Sequence, residues 1–183
     1  MPAGERRCQC LICADYGDRD RLDAIDTDLV ANIDERGWGV MMIPEDDTGP
    51  GWAYTVGLWH SHFSAEIAMF GLDIYDMTDC LNVLGAQVRD GRALVSDEGR
   101  AEVIERYPVV LKDVDEGWRK AFFGTSMGFY RSTREVPFLQ VLWPDQDGKL
   151  PGVPGCSEGY LALQPSLWLT PDEHPVGCWT AQI

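Results

Sequence analysis

Nowhere does the sequence hold the run of about 18 apolar residues that a bilayer-spanning helix needs, and MPAGERRCQCLICAD at its start lacks the apolar stretch of a secretory leader. Both absences point to a soluble, cytoplasmic chain. Basic residues are also few: Lys and Arg number 15 against 30 Asp and Glu, a formal charge of -15. A surface of that sign repels phosphate backbones and anionic lipid, so neither nucleic acid nor membrane is expected as a partner. Only three His occur in 183 residues, at 60, 62 and 174. The patterns G-x-x-x-x-G-K-[ST], G-x-G-x-x-G and H-E-x-x-H are all missing, which removes the usual sequence support for nucleotide and zincin chemistry. Nor is there an internal repeat, a low-complexity tract or a linker.

What is present suits a packed globule: 45% hydrophobic residues and 10% aromatic, seven of them Trp. The length fits one domain with its own core. We divide the chain into a Cys-containing N-terminal segment, 1–19, and a single α+β domain, 20–183. Leu22, Ile25, Leu29 and Ile33 fall on one helical stripe ending at Gly37. Strands are predicted over 38–43, 52–59 and 66–72, followed by a helix capped by Asp73. One edge strand, or two short ones, is predicted over 102–112 around Pro108. A third helix then opens at Asp113 or Asp115 and runs through Phe129, and a strand covers 136–143. The expected architecture is a mainly antiparallel sheet flanked by about three helices. Trp38, Tyr54, Val56, Leu58, Phe70, Leu81, Leu84, Trp118, Phe122, Leu139 and Val141 are its predicted core.

Four blocks, GWAYTVGLWH (51–60), AEIAMFGL (65–72), VPFLQVLWPDQDGKLPG (136–152) and LQPSLWLTPDEHPVGCW (163–179), resemble the domain of unknown function 4262 family. The resemblance covers about residues 20–180. It implies a shared fold and carries no activity, cofactor or catalytic residue with it. Where the family has His-Pro before the Glu, this chain has Ser64-Ala65 before Glu66.

Several residue groups bear on chemistry. Cys8, Cys10 and Cys13 form C-x-C-x-x-C, which could give a soft metal three thiolates, with His174 or Cys178 as a fourth ligand. Against this, structural zinc sites more often show two separated pairs, and the expectation is no cofactor and no stoichiometric metal. Arg6 and Arg7 could lower a thiol pKa in Cys10-Leu-Ile-Cys13, although no strand precedes it as a thioredoxin-like context requires. His60-Ser-His62 at a strand end would put two imidazoles on one face, with Glu66 as a conceivable third ligand. Gly124-Thr-Ser126-Met-Gly128 matches G-x-S-x-G, with Asp145 and His174 following in order, but it falls inside a helical pattern, where small residues serve packing. Asp145-x-Asp147-Gly148 reads as a turn in place of a calcium loop. Eight acidic residues between Asp15 and Glu35 read first as a solvated face.

The leading expectation is a non-catalytic protein that binds a small ligand or a protein partner, with Gln140, Trp143 and Trp59 as binding residues. One alternative is an enzyme acting on a small polar substrate with His60, Glu66 and Asp145 as acid/base groups. Another is an acidic docking protein or nucleic-acid mimic. Because Gln140 interrupts an apolar strand and Asp145 ends it, His60, Glu66, Gln140 and Asp145 could gather around one cleft; the reading favoured over this is that Gln140 bonds a backbone carbonyl, Asp145 caps its own turn and Glu66 pairs with an Arg.

Overall fold

The computed structural model describes residues 8–131 and 136–183. α1 (Ala24–Arg36) begins where the Asp23 carboxylate accepts the N–H of Asp26, and it ends at Gly37 with φ 99°. Leu29 and Ile33 are buried as the stripe requires, whereas Ile25 is exposed. After α1 come β1 (Gly39–Ile43), β2 (Trp52–Val56), α2 (Leu58–His62) and β3 (Glu66–Phe70). α3 (Ile74–Arg89) then starts at Asp73, whose carboxylate accepts the N–H groups of Tyr75 and Asp76. The predicted edge segment is a hairpin of β4 (Gly99–Ile104) and β5 (Tyr107–Asp113), with Pro108 at the second position of β5. β6 (Phe138–Leu142) completes the sheet.

The six strands lie in the order β1-β2-β3-β6-β5-β4. All neighbours run antiparallel except β3 and β6, which are parallel with Glu66 opposite Phe138 and Met69 opposite Val141. The sheet is therefore mixed, and the crossover from β3 to β6 carries α3, the β4–β5 hairpin and two further helices.

Three helices were expected, but six α-helices are found among the described residues. The predicted third helix breaks into a 3-10 turn (Glu116–Trp118), α4 (Arg119–Phe122) and α5 (Gly124–Tyr130). The break is at Phe123, whose φ of -123° and ψ of 40° leave the helical region. The additional helices are α2, where a strand end was expected, and α6 (Glu158–Leu163) in the tail. No described helix is long and apolar enough to cross a membrane.

Every predicted core residue is buried, but in two cores and not one. Tyr54, Val56, Phe70, Trp118 and Phe122 pack on one face of the sheet with α1, α4 and α5. Trp38, Leu58, Leu81, Leu84, Leu139 and Val141 pack on the other with α3. Side chains alternate across a strand, so β3 sends Ile67 and Met69 to one core and Ala68 and Phe70 to the other. Both faces being covered explains why β3 and β6 read as nearly continuous apolar runs. Helix α3 comes close enough that a Cβ on Gly85 would meet the Trp38 ring at 2.5 Å.

Candidate metal centre

The segment preceding α1 lies against the first of these faces. Leu11 is buried there and donates its N–H to the Phe129 carbonyl on α5 at 2.9 Å. The N–H of Ala14 returns to the Cys10 carbonyl at 3.0 Å, and the Arg19 guanidinium caps the Ile12 carbonyl at 3.0 Å. This single turn carries Cys10 and Cys13 on one side, three residues apart as neighbours on a helical turn are. Cys10 is fully buried, Cys8 is half-buried and Cys13 is exposed.

Opposite the turn stands His60 on α2. Its Nδ1 lies 3.3 Å from Cys10 Sγ and 3.3 Å from Cys13 Sγ. The three sulfurs and one ring nitrogen all lie within 4.8 Å of one another. In a tetrahedral zinc site with Zn–S of about 2.3 Å and Zn–N of about 2.0–2.1 Å, sulfur and nitrogen sit about 3.5 Å apart, and two sulfurs about 3.8 Å apart. The two S···N distances are already near that size, and closing the rest of the cluster from its 4.8 Å limit takes shifts of about 1 Å. Its groups also share protons. The Cys8 thiol, then the neighbouring imidazole, hold Cys10 down to about 4, while hydrogen bonding to Cys10 pushes Cys8 up. The Cys10 thiolate raises His60 above its ordinary value, and burial raises Cys13. The thiols and the imidazole are thus coupled through shared hydrogen bonds, and a divalent cation would displace the protons they hold.

The loop that presents His60 is held from below. Gly57, at φ 118°, turns the chain out of β2, and a Cβ there would meet Ile33 Cγ1 at 2.7 Å and the Gly37 carbonyl at 3.0 Å. The turn starts α2 and leaves its first N–H groups pointing inward, where the fully buried Glu66 receives them. Glu66 Oε1 accepts the N–H groups of Gly57 and Trp59, each at 3.0 Å, and the Tyr130 hydroxyl. Its Oε2 accepts the Thr55 hydroxyl at 2.6 Å. Tyr130 in turn accepts the His60 N–H at 3.4 Å. Burial raises the Glu66 pKa against the pull of these four donors, and burial beside Glu66 raises that of Tyr130. Glu66 therefore acts on His60 through the backbone and Tyr130.

The other expected site residues lie elsewhere. The two histidines of His60-Ser-His62 sit two apart on a helix and do not share a face: His62 packs its Nε2 against Gly37, where it has no polar partner. His174 accepts the Ser166 N–H at 3.0 Å and packs edge-on against Trp118, and Cys178 lies against Gly49. Neither joins the three cysteines, whose fourth partner is His60. Arg6 and Arg7 lie outside the described residues.

Glu66, Gln140 and Asp145 do not meet His60 in one cleft. Glu66 begins β3 beside Phe138, whereas Asp145 follows the other end of the parallel β6, at Leu142, roughly 13 Å along the strand at about 3.3 Å per residue. Gln140 clamps the tail, donating to the Pro165 carbonyl at 2.7 Å and accepting the Leu167 N–H at 3.1 Å. Asp145 closes its own turn by accepting the N–H groups of Lys149, Asp147 and Ser157 at 2.8, 3.0 and 3.1 Å. These bonds, that from Lys149 foremost, hold its carboxyl below the usual range. Trp59 borders a cavity of about 480 Å³ at the amino ends of β3 and β6, and Trp143 borders another at their carboxyl ends. Ser126 is buried on α5 directly after α4, without the strand a nucleophile elbow needs.

Residues 32–157 match the family described as Domain of unknown function (DUF4262). The chain belongs to this family. The matched stretch runs from within α1 to the loop after β6 and contains His60, Glu66 and Tyr130, whereas Cys8, Cys10 and Cys13 precede it. No curated protein and no solved structure matches the chain. The Cys/His cluster of this DUF4262 chain thus joins one residue of the family domain to three from the segment before it. Sequence reasoning had the cysteines and had His60 separately. Nothing local pairs them across 47 residues, and the signal that could have done so is the Gly57 turn that makes LWHSH a helix.

Proposed function

We propose that this chain is a zinc-containing binding domain, in which one Zn²⁺ held by Cys8, Cys10, Cys13 and His60 fastens the N-terminal segment to the sheet. The observation that carries the reading is the convergence of three sulfurs and Nδ1 within 4.8 Å, a spacing that side-chain shifts of about 1 Å would bring to that of a tetrahedral ion. Thiolate donors favour zinc, copper(I) or iron over magnesium and calcium. Four protein ligands leave no coordination position for water or substrate, so the centre is structural. The remaining acid/base candidates are engaged within the fold, Glu66 by four donors and Asp145 by three. This supports ligand binding over catalysis as the activity of the domain.

Elemental analysis of the purified chain tests the proposal. About one zinc per chain is expected, lost in Cys10→Ser/Cys13→Ser and in His60→Ala, and retained in His174→Ala and Cys178→Ser. Metal-free wild type that takes up no zinc from a buffered solution, or loss caused by His174→Ala and not by His60→Ala, would refute it.

A further inference from the structure

At the end of β3 and β6 remote from the metal centre, a cavity of about 530 Å³ opens between α3, the β4–β5 hairpin and the loop after β6. That volume lies within the range of small-molecule sites, roughly 300–1,000 Å³. It sits beyond the carboxyl ends of the one parallel pair among the described strands, the place where open sheets with parallel strands receive ligands. Its floor is rigid. Trp143 is buried, its indole N–H donates to the Phe70 carbonyl at 2.8 Å, and both its backbone groups are held by the Gln164 side chain at 2.9 and 3.1 Å. Tyr160 from α6 stands edge-on to Trp143, 5.3 Å between ring centres, and Tyr107 from β5 adds a third aromatic wall.

The charges around this cavity have one sign. Asp76 and Asp79, three residues apart on α3, border it together with Asp145, and the lining contains no Lys, Arg or His. Asp145 is engaged with backbone N–H groups. Among the described residues, by contrast, the carboxylates of Asp76 and Asp79 have neither a hydrogen-bond donor nor a cationic partner. Burial first, and then the field of these two carboxylates, pushes the thiol of Cys80 on the cavity wall up to about 11. Aromatic walls attract a cation through their ring faces, and unpaired carboxylates beside them add a second attraction of the same sign. An anion would meet repulsion from three carboxylates and gain no donor charge.

We propose that this cavity binds a small organic amine, its ammonium group at Asp76 and Asp79 and its aromatic or aliphatic body against Trp143, Tyr160 and Tyr107. The proposal is independent of the zinc centre. Isothermal titration of the full-length chain with tryptamine, and with indole-3-acetate as its anionic counterpart, tests it. Tryptamine is expected to bind at one saturable site with Kd below about 1 mM, and at least about tenfold more tightly than indole-3-acetate. Asp76→Asn/Asp79→Asn, at two exposed positions, should weaken tryptamine about tenfold at unchanged melting temperature, and Tyr160→Ala should weaken it similarly. Absence of saturable tryptamine binding, equal binding of the carboxylate, or full affinity in the double Asn variant would overturn the proposal.

Discussion

Replacing Glu66 by Ala is expected to lower the unfolding free energy by about 4 kcal/mol, enough to depress the melting temperature by roughly 8–16 °C in a chain of this length. The variant removes the acceptor shared by Thr55, Trp59, Gly57 and Tyr130, of which Gly57 alone keeps a second acceptor, the Tyr130 hydroxyl at 3.0 Å. Each buried donor left without a partner costs about 1–3 kcal/mol, and the vacated volume adds a cavity. Glu66→Gln keeps the shape and one carbonyl acceptor but turns an amide NH₂ toward groups that are themselves donors, so it should cost roughly half as much. The pH dependence has a definite sign. Because burial raises the folded-state pKa of Glu66, the folded protein holds this proton more tightly than the unfolded chain. The resulting stability is fully present below the unfolded pKa and is lost as pH rises through the raised folded value. Glu66→Gln should remove that part of the slope. Thermal unfolding from pH 4 to pH 8 reads both effects, and a Glu66→Ala protein within about 1 kcal/mol of wild type would mean that the four donors find other partners.

Removing the metal is expected to produce a loss of comparable size by a different route. The N-terminal turn contributes only Cys10 and Leu11 to the buried residues of the first core and none to the second, so a chelated protein should remain folded with the segment before α1 released. A ligand bound at about 1,000 times its dissociation constant stabilises by about 4 kcal/mol, which again corresponds to roughly 8–16 °C. Treatment with a high-affinity chelator should lower the melting temperature by that amount and speed amide exchange at Leu11 and Ala14, whose N–H groups are bonded within the docked turn. Zinc should restore both. The Glu66 and metal effects are coupled, since the carboxylate and Tyr130 position the backbone that carries His60. Glu66→Ala should therefore also weaken zinc retention, whereas chelation should leave the Glu66 network formed.

How far the sequence reveals this arrangement depends on whether the deciding interactions are local. Gly37 as a helix stop, Asp73 as a cap and the polar punctuation between strands are set by neighbours in the chain, and those elements appear as read. α2 is different. Trp, Leu and His after a strand suggest its continuation, but Gly57 reverses the backbone and a carboxylate nine residues away takes up the N–H groups of the new helix. That is a tertiary decision overriding a local preference. The third helix fails for the same reason in the other direction: its apolar spacing is helical throughout, yet α4 and α5 separate at Phe123, which stacks on Phe138 of β6 with ring centres 4.4 Å apart. As for the site, residue types announced three thiolates and an imidazole. Only the folded chain pairs them, and it also separates Glu66 from Asp145, because a parallel β3–β6 pair places residues that follow the two strands at the far end.

The ligands around the metal decide whether Cys8, Cys10, Cys13 and His60 form its site. Zinc-edge X-ray absorption on the purified chain reads the ligand set without reference to any other property. Three sulfurs at about 2.3 Å and one nitrogen at about 2.0–2.1 Å are predicted, the nitrogen signal disappearing in His60→Ala. A four-sulfur shell, or one made of oxygen and nitrogen, would contradict the assignment of Cys8, Cys10, Cys13 and His60 as the centre.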